Sequence, residues 1–212
     1  MKIITLSPDM DLTPVVREAV EVLRAGGVIV YPTDTLYGLG ANALDSAAVE
    51  KVSKIKKRDR SKPLPVIVRN LEWAKSISHI SKRQEKFLQK IWPGKITAIV
   101  PKKPIVPDLV TAMSKGIGMR VPDYPLVDKI LSKFGYPLTS TSANISGEEA
   151  SRDIQVVLQS LAAAEVLPDL VLDAGVLPVS EPSTVLDLTN EKPIIVRVGA
   201  ASPAKLLELL EI

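Results

Sequence analysis

Hydrophobic and polar residues alternate along the chain with two periods, one typical of helices and one typical of buried strands. In the segment 45–56, apolar residues recur at helical spacing on one face, namely Ala48, Val49, Val52 and Ile55. The segment 28–31 is a short apolar, β-branched run that ends at Pro32, which predicts a buried strand. Ser81 is followed three residues later by Gln84, which predicts a capping box at the start of another helix.

The same patterns assign elements along the whole chain. The first helix is predicted from Thr13-Pro14 to Gly26-Gly27, with Thr13 as its N-cap and Pro14 at the first helical position. Further helices are predicted over 45–56, from Ser81 to Pro93, over 126–134 and 151–164, and from Ser202-Pro203 onward. Strands are predicted at 28–31, 66–68, 96–100, 117–121, 137–140, 170–172, 184–188 and 194–198. Strands outnumber helices and sometimes follow one another directly, so we expect a mixed sheet. The prediction is a single α/β domain over residues 1–212.

Several kinds of chemistry lack the residues they need. The chain has no cysteine and one histidine, His79, which excludes thiolate metal sites, cysteine nucleophiles and histidine-based clusters or triads. No apolar run approaches the roughly 20 residues that a bilayer requires, and the first residues lack the features of a secretory signal. We therefore expect a cytoplasmic protein with no membrane span and no metal site of its own.

Positive charge is concentrated in the segment 51–62. It carries a net charge of +6, whereas the formal net charge of the chain is only +3. Its charged residues are Lys51, Lys54, Lys56, Lys57, Arg58, Arg60 and Lys62 against Asp59. Lysines at a helix C-terminus oppose the macrodipole, which accounts for the helical part as a solvated flank. Arg58, Arg60 and Lys62 lie beyond the predicted helix end, and we expect them to bind phosphate.

Other polar segments adjoin predicted strands. The turn 32–35 (PTDT) leaves the first strand, and 140–147 (STSANISG) follows another with four hydroxyls, an amide and a glycine. Such a stretch can form a nest of backbone N–H groups around an anion. Arg120 ends the segment GIGMR, Ser183 precedes a strand and Arg197 closes the next one. Each pattern also fits an ordinary polar turn, so the residues alone leave the anion open.

Taken in order, seven segments resemble the YrdC/TsaC family of threonylcarbamoyl-AMP synthases, in its single-domain type. They are YPTDTLYGLG, KKRDRSKPLPVIV, PGKITAIV, GMRVPDYP, STSANISG, PSTVLDLT and VRVG. The resemblance covers about residues 13–199, with a closing helix expected at about 203–211. It implies a twisted mixed β-sheet flanked by helices around a concave basic cavity. The implied activity makes threonylcarbamoyl-AMP and pyrophosphate from L-threonine, bicarbonate or CO2, and ATP, for tRNA N6-threonylcarbamoyladenosine.

The resemblance also implies roles for individual residues. Arg58 and Lys62 would hold the ATP phosphates and carry the catalysis, with Lys56 near them. Threonine would contact Thr35, Arg120 and Ser183. The remaining nucleotide ligands would be Ser140, Ser142, Asn144, Ser151 and Arg197. Mg²⁺ is expected to carry part of the phosphate charge.

The chain departs from the family pattern at three positions. Lys57-Arg58-Asp59 replaces the frequent Gly-Arg-Pro, Arg60 adds a cation that could assist Arg58, and Ile67 stands where some relatives have a histidine.

Two other functions stay open. One is a double-stranded RNA or tRNA-binding module, against which the chain has only eight aromatic residues and no stacking motif. The other is a carbamoyl-transfer relative of the same fold. If the chain is a synthase, its expected partners are the threonylcarbamoyl-transferase machinery, which acts downstream, and tRNA.

Overall fold

The structure is a computed structural model that describes residues 1–210. Its helices are α1 (Leu12–Arg24), α2 (Ser46–Ile55), α3 (Leu71–Ile77), α4 (Lys82–Ile91), α5 (Asp108–Thr111), α6 (Pro125–Phe134), α7 (Ile154–Ala162) and α8 (Pro203–Leu210). Its strands are β1 (Lys2–Thr5), β2 (Ile29–Tyr31), β3 (Gly38–Gly40), β4 (Val66–Ile67), β5 (Ile96–Pro101), β6 (Gly116–Arg120), β7 (Leu138–Thr139), β8 (Thr141–Ser142), β9 (Leu170–Asp173), β10 (Thr184–Asp187) and β11 (Ile194–Arg197). Residue 211 of the predicted closing helix lies outside the described residues.

The strands form two mixed sheets. The first has the order β1-β9-β2-β3-β8, in which β1, β9 and β2 are parallel and β3 and β8 are antiparallel to their neighbours. The second has the order β11-β10-β5-β6-β4-β7, with parallel pairs β10–β5 and β6–β4. The chain runs from the first sheet into the second at β4, back at β8, and into the second again at β10. Loops from both sheets can therefore meet at one place.

The inner strands of the first sheet are buried on both faces. Along the segment 28–31, Val28 and Val30 belong to one hydrophobic cluster, whereas Ile29 and Tyr31 belong to a second cluster that includes α1 and α6. This division follows the two-residue period of a strand, whose successive side chains point to opposite faces. A strand buried on both sides is expected to be continuously apolar, which explains the run seen in the sequence.

Side chains of residues just before the helices fix where several of them begin. The capping box of Ser81 and Gln84 is confirmed, because both reciprocal hydrogen bonds are present. The prediction that Thr13 caps α1 is wrong, since the Asp11 carboxylate accepts the hydrogen bond from the Thr13 backbone N–H at 2.9 Å. Similarly, Asp153 caps α7 and makes that helix shorter at its start than the predicted 151–164. An aspartate two residues from the predicted cap satisfies the same orphan N–H groups.

The α/β class and the mixed strand pairing agree with the sequence prediction. The division into two sheets was not visible in the sequence, because strand period says which residues share a face and not which strands pair. Among residues 1–210, no helix is both long enough and apolar enough to cross a membrane.

Candidate functional site

A cavity of about 490 Å³ lies where loops and strand ends of the two sheets meet. Its lining residues are Thr33, Thr35, Leu36, Tyr37, Gly38, Arg58, Lys62, Pro63, Pro65, Val66, Ile67, Thr97, Arg120, Ser140, Thr141, Ser142, Ala150, Pro182, Ser183 and Arg197. Four of these side chains are cationic, and no carboxylate is among them. A cavity with this lining favours an anionic ligand, because the lining supplies positive charge and no negative charge.

At one end of the cavity, the hydroxyl groups of the β2–β3 turn form a directed chain. Thr33 Oγ1 donates to the Leu36 carbonyl at 2.7 Å and lies 3.1 Å from Thr35 Oγ1. Because the single hydroxyl proton of Thr33 is already engaged, Thr35 must donate in the contact between the two hydroxyls. Arg120 Nη1 in turn donates to Thr35 Oγ1 at 3.2 Å. Thr35 Oγ1 therefore faces a ligand as an acceptor and not as a donor.

The guanidinium of Arg120 is held from behind by this turn. Its Nη2 forms an ion pair with Asp34 Oδ1, and both side chains are 9% exposed. Asp34 Oδ2 and Arg120 Nε are buried and have no hydrogen-bond partner. Burial lowers the pKa of Arg120 to about 10, while nearby Tyr31 acts in the opposite direction. Arg120 thus remains a cation at neutral pH.

The loop after α2 presents two further cations. Arg58 Nε donates to the Lys62 carbonyl at 3.2 Å, and Arg58 Nη2 donates to the Pro63 carbonyl at 2.9 Å. These bonds fix the guanidinium plane against its own loop, and burial lowers the pKa of Arg58. Arg60 was expected to assist Arg58, but it forms an ion pair with Glu50 and is absent from the cavity lining. The basic segment therefore contributes two cations to the cavity.

Arg197 and Ser183 lie together on the side of the second sheet. Arg197 donates from Nη2 to the Ser183 carbonyl at 2.7 Å and to Ser183 Oγ at 3.2 Å. Ser183 Oγ also lies 2.8 Å from Thr97 Oγ1. The serine hydroxyl is thus fixed by two neighbours inside the cavity wall.

Lys56 lies outside the cavity lining, although the sequence placed it near the phosphates. It is 1% exposed, and its ammonium donates to the Ser142 carbonyl at 2.5 Å and to Asn144 at the carbonyl (2.8 Å) and Oδ1 (3.0 Å). Its own carbonyl accepts from the Ser146 N–H at 2.8 Å. Lys56 therefore fixes the loop 142–146. Burial, with a smaller effect of Arg58, lowers the pKa of Lys56 to about 7.

Two other predicted ligands, Asn144 and Ser151, also lie outside the lining. The Asn144 amide donates to the Ile145 and Glu148 carbonyls, and Ser151 Oγ accepts from the Asp153 N–H at 3.0 Å. These side chains shape the loops that border the cavity. The eight other predicted ligands are in the lining, namely Thr35, Arg58, Lys62, Arg120, Ser140, Ser142, Ser183 and Arg197.

Sequence reasoning did not single out two hydroxyl residues of the site. Thr97 lies within the apolar strand β5, and its signal was a polar residue in an otherwise apolar run. Thr33 organises the turn through its contacts to Thr35 and Leu36, a role that cannot be distinguished from a polar turn residue in the sequence. Ile67, which stands where some relatives have a histidine, is in the cavity lining and offers no hydrogen bond there.

Comparison with known proteins identifies the family to which the chain belongs. Residues 21–199 match the family described as Sua5_yciO_yrdC, telomere recombination. The chain belongs to the Sua5/YciO/YrdC family. Within it, the chain is 38% identical over 188 residues to a Methanocaldococcus jannaschii protein provisionally named a threonylcarbamoyl-AMP synthase, covering 88% of this chain and 86% of that protein.

Solved structures of the Sua5/YciO/YrdC family have the same fold. The crystal structure of Pyrococcus abyssi Sua5 complexed with L-threonine matches with a TM-score of 0.89 at 28% identity, over 99% of this chain and 61% of that one. This chain thus spans about three fifths of the length of that Sua5 chain. Escherichia coli YciO, an uncharacterised protein, matches with a TM-score of 0.84 at 31% identity, over 95% and 98% of the two chains.

Proposed function

We propose that this protein is an L-threonylcarbamoyladenylate synthase, which makes threonylcarbamoyl-AMP and pyrophosphate from L-threonine, bicarbonate or CO2, and ATP. The observation that carries the proposal is a cavity with four cationic side chains, no carboxylate in its lining, and hydroxyl groups at both ends. ATP and bicarbonate are anions, and threonine carries an α-carboxylate. Support also comes from relatives named threonylcarbamoyl-AMP synthase and from a Sua5 structure that holds L-threonine.

In this proposal, threonine binds at the end formed by the β2–β3 turn. Arg120 would pair with the α-carboxylate, because a guanidinium can bind both carboxylate oxygens. Thr35 Oγ1 is an acceptor towards the cavity, so it suits the amino or hydroxyl group of the amino acid. Ser183 and Thr97 would lie near the other side of the ligand. The apolar Ile67 would contact carbon rather than a polar atom.

The triphosphate would bind at Arg58, Lys62 and Arg197, with Ser140 and Ser142 as hydroxyl donors. Arg58 is fixed by two carbonyls of its own loop, so it needs little reordering when a phosphate arrives. Lys62 is exposed, and its flexible side chain can follow the negative charge as it shifts onto the leaving pyrophosphate. Asn144, Lys56 and Ser151 would act on the nucleotide only through the loops they hold.

The chemistry fits a site made of cations. The threonine nitrogen attacks CO2 and loses a proton, which gives an N-carboxylate. One oxygen of this carboxylate attacks the α-phosphorus of ATP, forming the mixed anhydride while the bond to pyrophosphate breaks. Charge moves onto the leaving pyrophosphate, so oriented cations stabilise the transition state more than a strong base would.

Mg²⁺ prefers carboxylate, carbonyl, water and phosphate oxygens. The cavity lining contains no carboxylate, and no group of three His, Cys, Asp or Glu side chains that could hold a metal occurs in residues 1–210. The chain therefore does not fit as a metal site by itself, and the oxygens would have to come from the triphosphate. No step above requires the ion.

The test is incubation with ATP, L-threonine and bicarbonate, with detection of threonylcarbamoyl-AMP by mass spectrometry and of pyrophosphate by a coupled assay. Product with the mass of the adenylate, and pyrophosphate release that requires threonine, support the proposal. Threonine-independent release, or none, contradicts it. The names of the relatives favour a synthase over the RNA-binding and carbamoyl-transfer alternatives. A cytoplasmic location and delivery of the product to tRNA-modifying machinery would follow from this activity.

A further inference from the structure

The Asp34 side chain is buried directly against Arg120, one of the cavity's cations. It lies in the β2–β3 turn between the two threonines, yet it is absent from the lining, which contains Arg120 in front of it. The ion pair to Arg120 Nη2 leaves Asp34 Oδ2 without a partner. A buried carboxylate oxygen without a hydrogen-bond partner lowers the stability of the fold. Its presence beside a cation that faces the ligand indicates that Asp34 serves ligand binding rather than stability.

We propose that Asp34 is a positioning residue for amino-acid recognition: it acts through Arg120 and gives the site its selectivity for a free α-carboxylate. The inference rests on the proposed function, in which Arg120 binds the carboxylate of threonine. Asp34 touches neither the substrate nor the reacting atoms.

The number of N–H groups on Arg120 decides whether Asp34 can position this side chain without competing with a ligand for it. A guanidinium has five N–H donors. Asp34 takes one on Nη2, Thr35 takes one on Nη1, and Nε is buried without a partner. One N–H on each terminal nitrogen remains for a ligand. Asp34 therefore holds the guanidinium without occupying all of its donors.

The anchoring has two points, which fixes direction as well as location. Thr35 holds Nη1 and Asp34 holds Nη2, and both come from the same turn. Thr33 keeps that turn in shape by bonding the Leu36 carbonyl and the Thr35 N–H. Without the Asp34 charge, Arg120 would keep only neutral hydrogen bonds to this turn. Its side chain would then have rotational freedom, which binding of a carboxylate would have to remove.

The test compares L-threonine with L-threonine carboxamide, which lacks the carboxylate charge, as ligands of the wild type, Asp34→Asn and the exposed control Asp123→Asn. Affinities are measured by calorimetry, and ATP affinity and thermal unfolding are recorded for each protein. For Asp34→Asn we expect threonine to bind about tenfold more weakly, the carboxamide to bind as before, and ATP affinity to be unchanged. A role in folding alone would weaken all three ligands together.

Two outcomes overturn the inference. One is an unchanged ratio of the two affinities in Asp34→Asn, and the other is tighter threonine binding, which would mean that Asp34 competes with the ligand for Arg120. If Asp34→Asn does not fold, Asp34→Glu carries the same test, because it keeps the charge and moves it by one methylene. In that variant we expect the ratio to fall at least threefold, and an unchanged ratio overturns the inference. Failure of the wild type to bind threonine would instead contradict the proposed function.

Discussion

Replacing Lys56 by methionine tests whether a buried ammonium holds the loop 142–146. The substitution keeps most of the apolar stem but removes the donor to three oxygens of Ser142 and Asn144. The Ser142 carbonyl keeps the Asn144 N–H and Asn144 Oδ1 keeps the Ser142 hydroxyl, so the Asn144 carbonyl is the acceptor that loses its partner. A buried acceptor left without a partner costs about 1–3 kcal/mol, so we expect Lys56→Met to lower the free energy of unfolding. The loss is offset in part, because methionine has no charge to desolvate.

The pH dependence gives the sharper measurement. The pKa of Lys56 falls from 10.5 to about 7 on folding. Between these values the unfolded chain holds a proton that the folded state has released, so stability rises with pH in this window. The contribution of the neutral Lys56 amine to the free energy of unfolding is full above pH 10.5 and is lost as the pH falls through 7. From pH 7 to 9, the wild type should gain about 2 kcal/mol relative to Lys56→Met.

Urea unfolding followed by circular dichroism at pH 6, 7, 8 and 9 measures both effects. Lys54→Met is the matched control, because Lys54 lies in the last turn of α2, two residues before Lys56, and is exposed. Its stability relative to the wild type should not change with pH. A constant difference between the wild type and Lys56→Met from pH 7 to 9 would refute the reasoning, since it would mean that the three acceptors keep Lys56 protonated throughout.

Three further substitutions test the site and the core. Arg58→Ala should lower ATP-dependent turnover at least about tenfold, whereas Lys54→Ala should leave it unchanged, because Arg58 lines the cavity and Lys54 does not. Equal losses in the two variants would mean that the basic segment acts only through its overall positive charge. Thr35→Val should raise the KM for threonine and leave the KM for ATP unchanged, and a change in the ATP value instead would contradict the assignment of this end. Gly40→Ala would place a Cβ 2.6 Å from the buried Tyr31 ring. Urea unfolding should show that the free energy of unfolding falls by about 2–3 kcal/mol. A fall below about 0.5 kcal/mol would mean that the ring can move away from the new methyl group.

The sequence predicted well what depends on local pattern. The paired signal of Ser81 and Gln84 located the start of α4, and the apolar run at 28–31 located the central strand of the first sheet. Helix and strand periods report which face is buried, and the side chains around Tyr31 follow them. Eight of the eleven predicted ligands lie in one cavity because they adjoin strand ends, where polar groups of α/β proteins gather.

What the sequence could not supply depends on long-range contacts. Lys56 and Arg58 are two residues apart, yet one is buried against the loop 142–146 and the other faces the cavity. Residue type and charge are nearly the same, so only the position of that distant loop separates their roles. Arg60 is removed from the cavity by Glu50, a partner ten positions earlier that composition does not reveal. Thr97 was hidden for a related reason, because its partner Ser183 comes from another strand.

The passage of the chain between two sheets has a consequence for how the site can arise. Ser142 belongs to the first sheet and Thr35 to the turn between two of its strands, whereas Thr97, Arg120 and Arg197 belong to the second sheet. The two groups alternate along the chain. No contiguous half of the protein contains a complete cavity wall. Ligand binding therefore reports on the assembly of the whole fold. During refolding it should appear only with the last long-range contacts, and neither fragment of a cut chain should bind until both are mixed.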